Sequence, residues 1–435
     1  MGGIHPKDNK LSAGKPIITA EIPKQVAIPL SHYAGTPAEA VVKKGDTLKV
    51  GQLIGKATGF ISANVHSSVS GKVNKIDTQL DATGYKRQAV FIDVEGDEWL
   101  ETIDRSSEIV RECHLSKEEI IEKIKDAGIV GLGGATFPAH VKLSPPPDKK
   151  ADVLIVNAAE CEPYLTCDHA LMLEHGEEIL VGITIVMKTL NVKKAIIGIE
   201  NNKKDAVEHL SRLAKMYDGI EVSALKVRYP QGGEKQLIDA LIRRQVPSGK
   251  LPVEVGAVVL NVGTVFAVYE AVQKNKPLIE RIITLTGKNE PNPNNYMVRL
   301  GVYLSVVVNQ NGGIPQGTGK IIGGGPMMGR SLMNLDIPMA KGSAGILFMT
   351  EKESLRPKIQ NCIRCAKCVT VCPHGLEPYL LATQSELNMW TEMENNRVMD
   401  CMECGSCSYT CPSNRPILDY IRYGKGIVQS SKFKV

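Results

Sequence analysis

The sequence predicts a multidomain α/β chain with a small β domain first and a cysteine-rich helical domain last. Three observations carry that reading. Strand-like and helix-like segments alternate from Val153 to Lys274, the pattern of a mainly parallel sheet covered by helices. Residues 26 to 100 read as short strands broken by glycine turns, which suggests a sandwich or barrel. The last fifth of the chain repeats one cysteine pattern twice. At 435 residues a single core is too small a solution, and roughly two to four domains are expected.

The elements follow in order. In the first domain, set at 1–110, Val41-Val42 precede Lys44-Gly45-Asp46, Leu48 to Val50 precede Gly51, and Val69 to Val73 surround Gly71. The string VVKKGDTLKVGQLIGKA…VHSSVSGKVNKI resembles the biotinyl/lipoyl-type barrel-sandwich fold. It lacks that family's Met-Lys-Met tip, so a structural role is expected. The second domain, 111–280, starts on a helix marked by the Ser116–Glu119 capping box, the Ile120, Ile121, Ile124 stripe and Gly128 as C′ residue. Pro145 to Pro147 interrupt the chain. Strands are then expected at Val153–Val156, Ala195–Ile199, Val222–Val227 and Val258–Leu260. Helices are expected at Leu171–Leu190, Asp205–Met216, Glu234–Arg243 and Val265–Lys274. The third domain, 281–350, has short strands at Ile282–Leu285, Val306–Val308 and Ile321-Ile322 among many glycines, as in a β-grasp-like module. The fourth, 351–435, carries the cysteine motifs and little β propensity.

Composition excludes several functions. With 5% aromatic residues and a net charge of +5, the chain lacks both stacking platforms and a dense basic block, so no nucleic-acid partner is expected. Met1 to Lys10 has no apolar core of a secretory signal, and Pro6 stands where a myristoylation signal needs Ser or Thr. The longest uncharged apolar stretch, Val255 to Tyr269, has 15 residues, against roughly 20 for a spanning helix. No transmembrane helix is expected, while peripheral attachment to a membrane complex stays open. Eleven cysteines at metal-ligand spacings, without a signal peptide, read as ligands in a reducing cytoplasm.

Cys362-x2-Cys365-x2-Cys368-x3-Cys372-Pro373 is followed by Cys401-x2-Cys404-x2-Cys407-x3-Cys411-Pro412. Two-residue gaps let three thiolates converge on one four-iron, four-sulfur cubane, and the fourth cysteine ligates the other cluster. Cys362, Cys365, Cys368 and Cys411 are therefore assigned to one cluster, and Cys401, Cys404, Cys407 and Cys372 to the other. Zinc prefers thiolates in pairs, not runs of three ending in CxxxCP. Cys113, Cys161 and Cys167 fit no such pattern and read as small buried hydrophobes.

Gly131-Leu132-Gly133-Gly134-Ala135-Thr136-Phe137-Pro138 fails the dinucleotide fingerprint, because Thr136 replaces its last glycine and a helix precedes it. Side-chain-free residues still expose N–H groups to a phosphate or a flat ring. Lys142 follows as a point charge for a phosphate. The Val153–Val156 strand runs into Asn157-Ala158-Ala159-Glu160-Cys161-Glu162-Pro163, polar residues at a strand's carboxyl end.

GLGGATFPAHVKL, NAAECEPYLTCDHALM, GGEKQLI and LNVGTV are similar, in order and spacing, to the flavin- and NADH-binding subunit of respiratory complex I. With GGIHP, the barrel and both cysteine motifs, the whole chain resembles the RnfC family of Rnf electron transport complexes. The resemblance implies non-covalent FMN, NAD(H) as substrate and two [4Fe-4S] clusters. It places Gly131, Gly133 and Gly134 under the flavin, Lys142 at its phosphate, and Asn157, Glu160, Glu234, Asn261 and Thr264 around it. Phe137 and Glu162 would face the nicotinamide. Ala159, Lys235 and Thr136 depart from the complex I pattern. The resemblance further implies an α/β flavin/NADH-binding domain, a soluble ligand-binding β-grasp (SLBB) module and a helical two-cluster ferredoxin domain. It also implies membrane and ferredoxin-type partner subunits, ferredoxin reached through them, coupling to Na⁺ or H⁺ translocation, and a peripheral place on the cytoplasmic face. Competing readings are a cluster-only electron wire and a soluble cobalamin or quinone reductase.

Overall fold

The computed structural model describes residues 2–432, with side chains to residue 430. Met1 and residues 433–435, the outer ends of the first and fourth expected domains, lie outside the described residues. The β domain is built as expected from two antiparallel layers. Gln25–Pro29, Lys86–Val94, Gly71–Leu80 and Thr47–Leu48 form one sheet in that order, and Glu39–Ala40, Leu53–Lys56 and Val65–His66 the other. Val26, Ile28, Leu48, Ile54, Val65, Val73, Val90 and Ile92 fill the space between them. The N-terminal strand Ile17–Thr19 leaves this domain and pairs with Asn294–Arg299 of the third one.

Strands Ile220–Leu225, Ala195–Glu200, Val153–Ala158 and Ala257–Asn261 lie side by side in that order, all parallel. Val153–Ala158, Ala195–Glu200 and Ala257–Asn261 are nearly continuous apolar runs because helices cover both faces, while the edge strand Ile220–Leu225 is partly exposed. The expected helix over 171–190 is in fact two, Cys167–Glu174 and Gly176–Leu190. The break at His175 (φ −124°, ψ 34°) starts a new helix whose Glu178 accepts from His175 Nδ1 at 3.0 Å. Gly176 at the break admits His209, whose Nε2 would lie 2.7 Å from an added Cβ.

The third sheet has the order Ile17–Thr19, Asn294–Arg299, Glu280–Gly287, Gly345–Thr350, Thr318–Gly323, Arg330–Ser331. The strand expected at Val306–Val308 is instead helix Leu304–Gln310. Three adjacent valines suggested a strand, yet Leu304, Val307 and Val308 are buried while Val306 is not. That is one face of a helix, not one face of a sheet. The fourth domain is helical, with Pro378–Glu386 packed on Ile417–Lys432 over Leu381, Met393, Val398 and Ile421.

Candidate functional site

Helix Lys117–Asp126 carries the expected capping box and ends at Gly128, φ +64°. The glycine loop that follows is pinned from three sides. Leu132 N donates to the buried Thr264 Oγ1 at 2.8 Å, Gly131 N to Phe137 O at 2.8 Å, and Arg281 Nη2 to Leu132 O at 3.1 Å. A Cβ on Gly133 would come within 3.2 Å of Asn261 Cβ, whereas Gly134, φ +121°, faces open space. The loop thus offers bare backbone outward. Thr136 holds φ +49°, a left-handed conformation that glycine adopts freely and a β-branched residue does not. Its carbonyl accepts from Ala34 N of the β domain at 3.1 Å, so a contact between domains maintains the strained residue.

Asn157 and Asn261 stand opposite each other at the carboxyl ends of adjacent parallel strands, the usual ligand edge of such a sheet. Asn157 Nδ2 donates to Gly232 O at 2.8 Å. Asn261 caps helix Val262–Gln273 by accepting from Gly263 N at 2.9 Å, and its Nδ2 donates to Asp168 Oδ2 at 2.7 Å. Lys142 pairs with Glu234 at 2.7 Å, the two side chains being 33% and 39% exposed. A polar, partly open rim therefore joins the glycine loop, both asparagines and the first residue of helix Glu234–Ile242.

The two loop carboxylates lie elsewhere. Glu160, φ +45°, folds back to accept from Asp168 N at 2.7 Å and His169 N at 3.3 Å, capping helix Cys167–Glu174. Glu162 is tucked inward and accepts from Met328 N at 2.7 Å and Met327 N at 3.2 Å, with the Tyr229 hydroxyl at 3.4 Å. Burial lifts its pKa to about 7 against the pull of those hydrogen bonds. Phe137 is half-buried at the end of the glycine loop.

Sequence reasoning missed the groups that hold this loop. Lys10 donates to the carbonyls of Glu160, Glu162 and Leu165 at 2.8, 2.9 and 2.6 Å. Buried Lys203 donates to Ala159 O at 2.7 Å. Asp168, whose pKa is raised by burial and then by Glu160, orients Asn261. Lone lysines distant in sequence leave no spacing signal; Asp168, within NAAECEPYLTCDHALM, could have been suspected.

Cys372, Cys401, Cys404 and Cys407 line one cavity with Leu376, Leu381, Leu418 and Ile421. The first motif's last cysteine is thus brought to the second motif's first three. Burial pushes the Cys401 thiol up to about 11, with Cys404 and Cys372 adding to the rise. Crowded thiols in apolar walls are poor hosts to one another until a cationic metal core converts them to thiolates. The donor set fits a cubane. On the other side Cys368 senses Cys411. Hydrogen bonds from Gln360 N to Ser413 O and from Ser413 Oγ to Asn361 O, both 2.9 Å, lay the start of the first motif beside the Cys411 loop. Cys362 and Cys365 are exposed.

The polar rim and the first of these cavities adjoin. Tyr229 hydroxyl donates to Cys404 O at 2.7 Å, and Tyr229, Cys161, Met327, Met402 and Cys404 share one apolar cluster. A Cβ on Gly233 would lie 2.9 Å from Met402 Cε, next to the Gly232 carbonyl that Asn157 binds. Gln236 Nε2 donates to Pro373 O at 3.3 Å.

Known proteins share this arrangement. The family described as Nuo51 FMN-binding domain matches residues 124–270, that described as RnfC barrel sandwich hybrid domain residues 1–97, and that described as 4Fe-4S dicluster domain residues 355–412. The chain is 48% identical over 429 residues to the C subunit of the proton-translocating ferredoxin:NAD(+) oxidoreductase complex of Clostridium ljungdahlii, covering 98% of this chain and 93% of that one. It is 45% identical to the C subunit of the Na(+)-translocating ferredoxin:NAD(+) oxidoreductase complex of Acetobacterium woodii, covering 98% and 96%. An NAD+-reducing [NiFe]-hydrogenase in its H2-reduced state has the same fold over 72% of this chain and 62% of its own, with a TM-score of 0.50 at 20% identity. Three consecutive domains, and identity sustained over nearly the whole length, lead to one conclusion: the chain belongs to the RnfC family, a component of ion-translocating ferredoxin:NAD+ oxidoreductase complexes.

Proposed function

We propose that the carboxyl edge of the parallel sheet holds FMN and offers it to NAD(H), and that the two cysteine sets hold the two [4Fe-4S] clusters. One observation supports this most: the Asn157 end of the rim and the four-cysteine cavity meet at Gly232, Gly233 and Tyr229. FMN supplies exchange of an electron pair with nicotinamide and of single electrons with an iron centre.

The chain's own residues bind and orient. Gly131, Gly133 and Gly134 present backbone N–H groups at close approach, and Thr264 holds their shape through Leu132. Lys142 sits where a phosphate would exchange with or join the Glu234 contact. Asn157 and Asn261 bring amides to the isoalloxazine side, and Phe137 borders the nicotinamide side. In this reading Glu160 and Glu162 act by shaping the loop, since both carboxylates are engaged within the chain. Cys372, Cys401, Cys404 and Cys407 hold one cluster, and Cys362, Cys365, Cys368 and Cys411 the other. Apolar walls and backbone N–H groups around the thiolates tune potential and exclude solvent.

In its complex the chain passes electrons between NAD(H), FMN and the clusters, with ferredoxin at the far end of the path and Na⁺ or H⁺ translocation coupled to the flow. No helix among the described residues is long and apolar enough to cross a membrane. Ion passage is therefore assigned to integral membrane subunits, and this chain to a peripheral place on their cytoplasmic face with ferredoxin-type partners. Residues 281–350 are read as the SLBB module. Anaerobic quantification of iron, sulfide and flavin, followed by NADH titration, tests the reading. About eight irons and one FMN per chain are expected, with bleaching by NADH. Irons without flavin or bleaching would leave only a cluster wire.

A further inference from the structure

The two cysteine sets differ in their surroundings. Cys404 and Cys407 are buried and their set adjoins the flavin rim, whereas Cys362 and Cys365 are exposed. The segment that carries those two cysteines is apolar and basic, and the carboxylates nearby, Glu377 against Tyr379 and Asp419 against Arg356, come from outside it. Leu355, Ile359 and Ile363 are 74%, 56% and 67% exposed. From Leu355 to Leu376 the sequence contains Arg356, Lys358, Arg364 and Lys367 and no Asp or Glu. Arg356 pairs with Asp419 at 2.8 Å. The side chains of Lys358, Arg364 and Lys367 are exposed, and among the described residues they enter no ion pair or side-chain hydrogen bond. The face is nevertheless ordered, because Asn414 Nδ2 donates to Lys358 O at 3.3 Å and Gln360 N to Ser413 O at 2.9 Å.

From these observations we infer that the face formed by Leu355, Lys358, Ile359, Ile363, Arg364 and Lys367 docks an acidic one-electron carrier protein or domain. The occupant exposes its redox centre within a carboxylate-rich surface. The inference rests on the cluster assignment above. Apolar side chains beside an exposed redox ligand provide a small, dry contact of the kind transient electron-transfer encounters use. Unpaired cations at the rim steer an anionic partner and fix its orientation. Lysine and arginine whose charges are unspent within the chain fit an acidic partner and disfavour a basic one. One electron crosses per encounter: this chain is oxidised and the carrier reduced, or the reverse, with no bond made and no proton moved.

The test uses the full-length chain with iron content measured first, reduced chemically by dithionite so that the NADH site is not involved. Stopped-flow mixing with an acidic [2Fe–2S] ferredoxin gives the second-order rate at low and high salt. Mixing with basic cytochrome c serves as the opposite probe. Expected are a fall of at least about tenfold for the ferredoxin as salt rises and no such fall for cytochrome c. The triple variant Lys358→Glu, Arg364→Glu, Lys367→Glu should slow the ferredoxin at least about tenfold at low salt and speed cytochrome c. Since Arg364 lies between two ligands, Lys358→Glu with Ile359→Asp, outside the CxxC turn, serves as the second variant and should act in the same direction. A wild-type ferredoxin rate that ignores salt, or a double variant with full iron and an unchanged rate, would overturn the docking face while leaving the clusters in place. Absence of iron from the wild-type chain would overturn the cluster assignment and this face with it.

Discussion

Thr264→Val exchanges a hydroxyl for a methyl of similar volume at a fully buried position, so packing is kept and one hydrogen bond is lost. The hydroxyl oxygen accepts from Leu132 N at 2.8 Å, the amide between Gly131 and Gly133. Without it a buried N–H has no acceptor, which costs about 1–3 kcal/mol. The loop escapes that cost by turning Leu132 N toward solvent, and then the bare face under the flavin is no longer preformed. FMN must restore the shape on binding, so its affinity falls by the same amount. At about 1.4 kcal/mol per factor of ten, the dissociation constant rises roughly 5- to 150-fold. Anaerobic fluorescence titration of flavin-depleted protein with FMN reads this directly. Thr264→Ser keeps the oxygen and is expected to stay near the wild type. A valine variant that binds FMN as tightly as wild type, while the serine variant does too, would refute the idea that Thr264 sets the loop.

The remaining predictions address the other parts of the molecule. Lys142→Met removes the cation paired with Glu234 at 2.7 Å; FMN affinity should drop about 10- to 100-fold by loss of a charge-assisted bond, with riboflavin, which has no phosphate, unaffected. Equal losses for both flavins would place Lys142 away from the phosphate. Cys372→Ser and Cys404→Ser should remove the same half of the iron, about four atoms per chain, and abolish the same electron paramagnetic resonance signal. Cys411→Ser should instead match Cys362→Ser, and a match to Cys404→Ser would break the exchanged assignment. Lys341 is fully buried, donates to Asn64 O and Gly128 O at 2.8 Å, and is lowered by burial from 10.5 to about 7. Between those values the unfolded chain binds the extra proton and the folded one does not, so stability rises with pH from about 7 to about 10.5. Lys341→Met should flatten that rise in melting temperature, and an unchanged profile would assign it to another group.

Local features were legible in the amino-acid order because their physics is local. The capping box at Ser116 and Glu119, the apolar strands Val153–Ala158 and Ala195–Glu200, and the two CxxCxxCxxxCP runs each depend on neighbours a few residues apart. Where local preference competed with packing, sequence reading failed. Val306–Val308 favours a strand by residue type, but the burial of Leu304, Val307 and Val308 on one face made it a helix. The expected long helix at 171–190 divided at His175, whose φ of −124° and ψ of 34° leave the helical region, and Gly176 beside it admits His209.

The cysteine spacing by itself determined the kind of metal group and is the basis of the proposed exchange of fourth ligands, since both rest on how far a thiolate reaches along a short turn. Tertiary structure alone decided which cysteine set adjoins the polar rim at the sheet's carboxyl edge. That order depends on Tyr229 meeting the Cys404 carbonyl across 175 residues, a contact with no sequence period. The same holds for Lys10, which crosses 150 residues to the Glu160 carbonyl, and for Ala34, which holds Thr136 in a conformation its side chain disfavours. Short-range sterics write a motif into the sequence; long-range contacts exist only once the domains have packed.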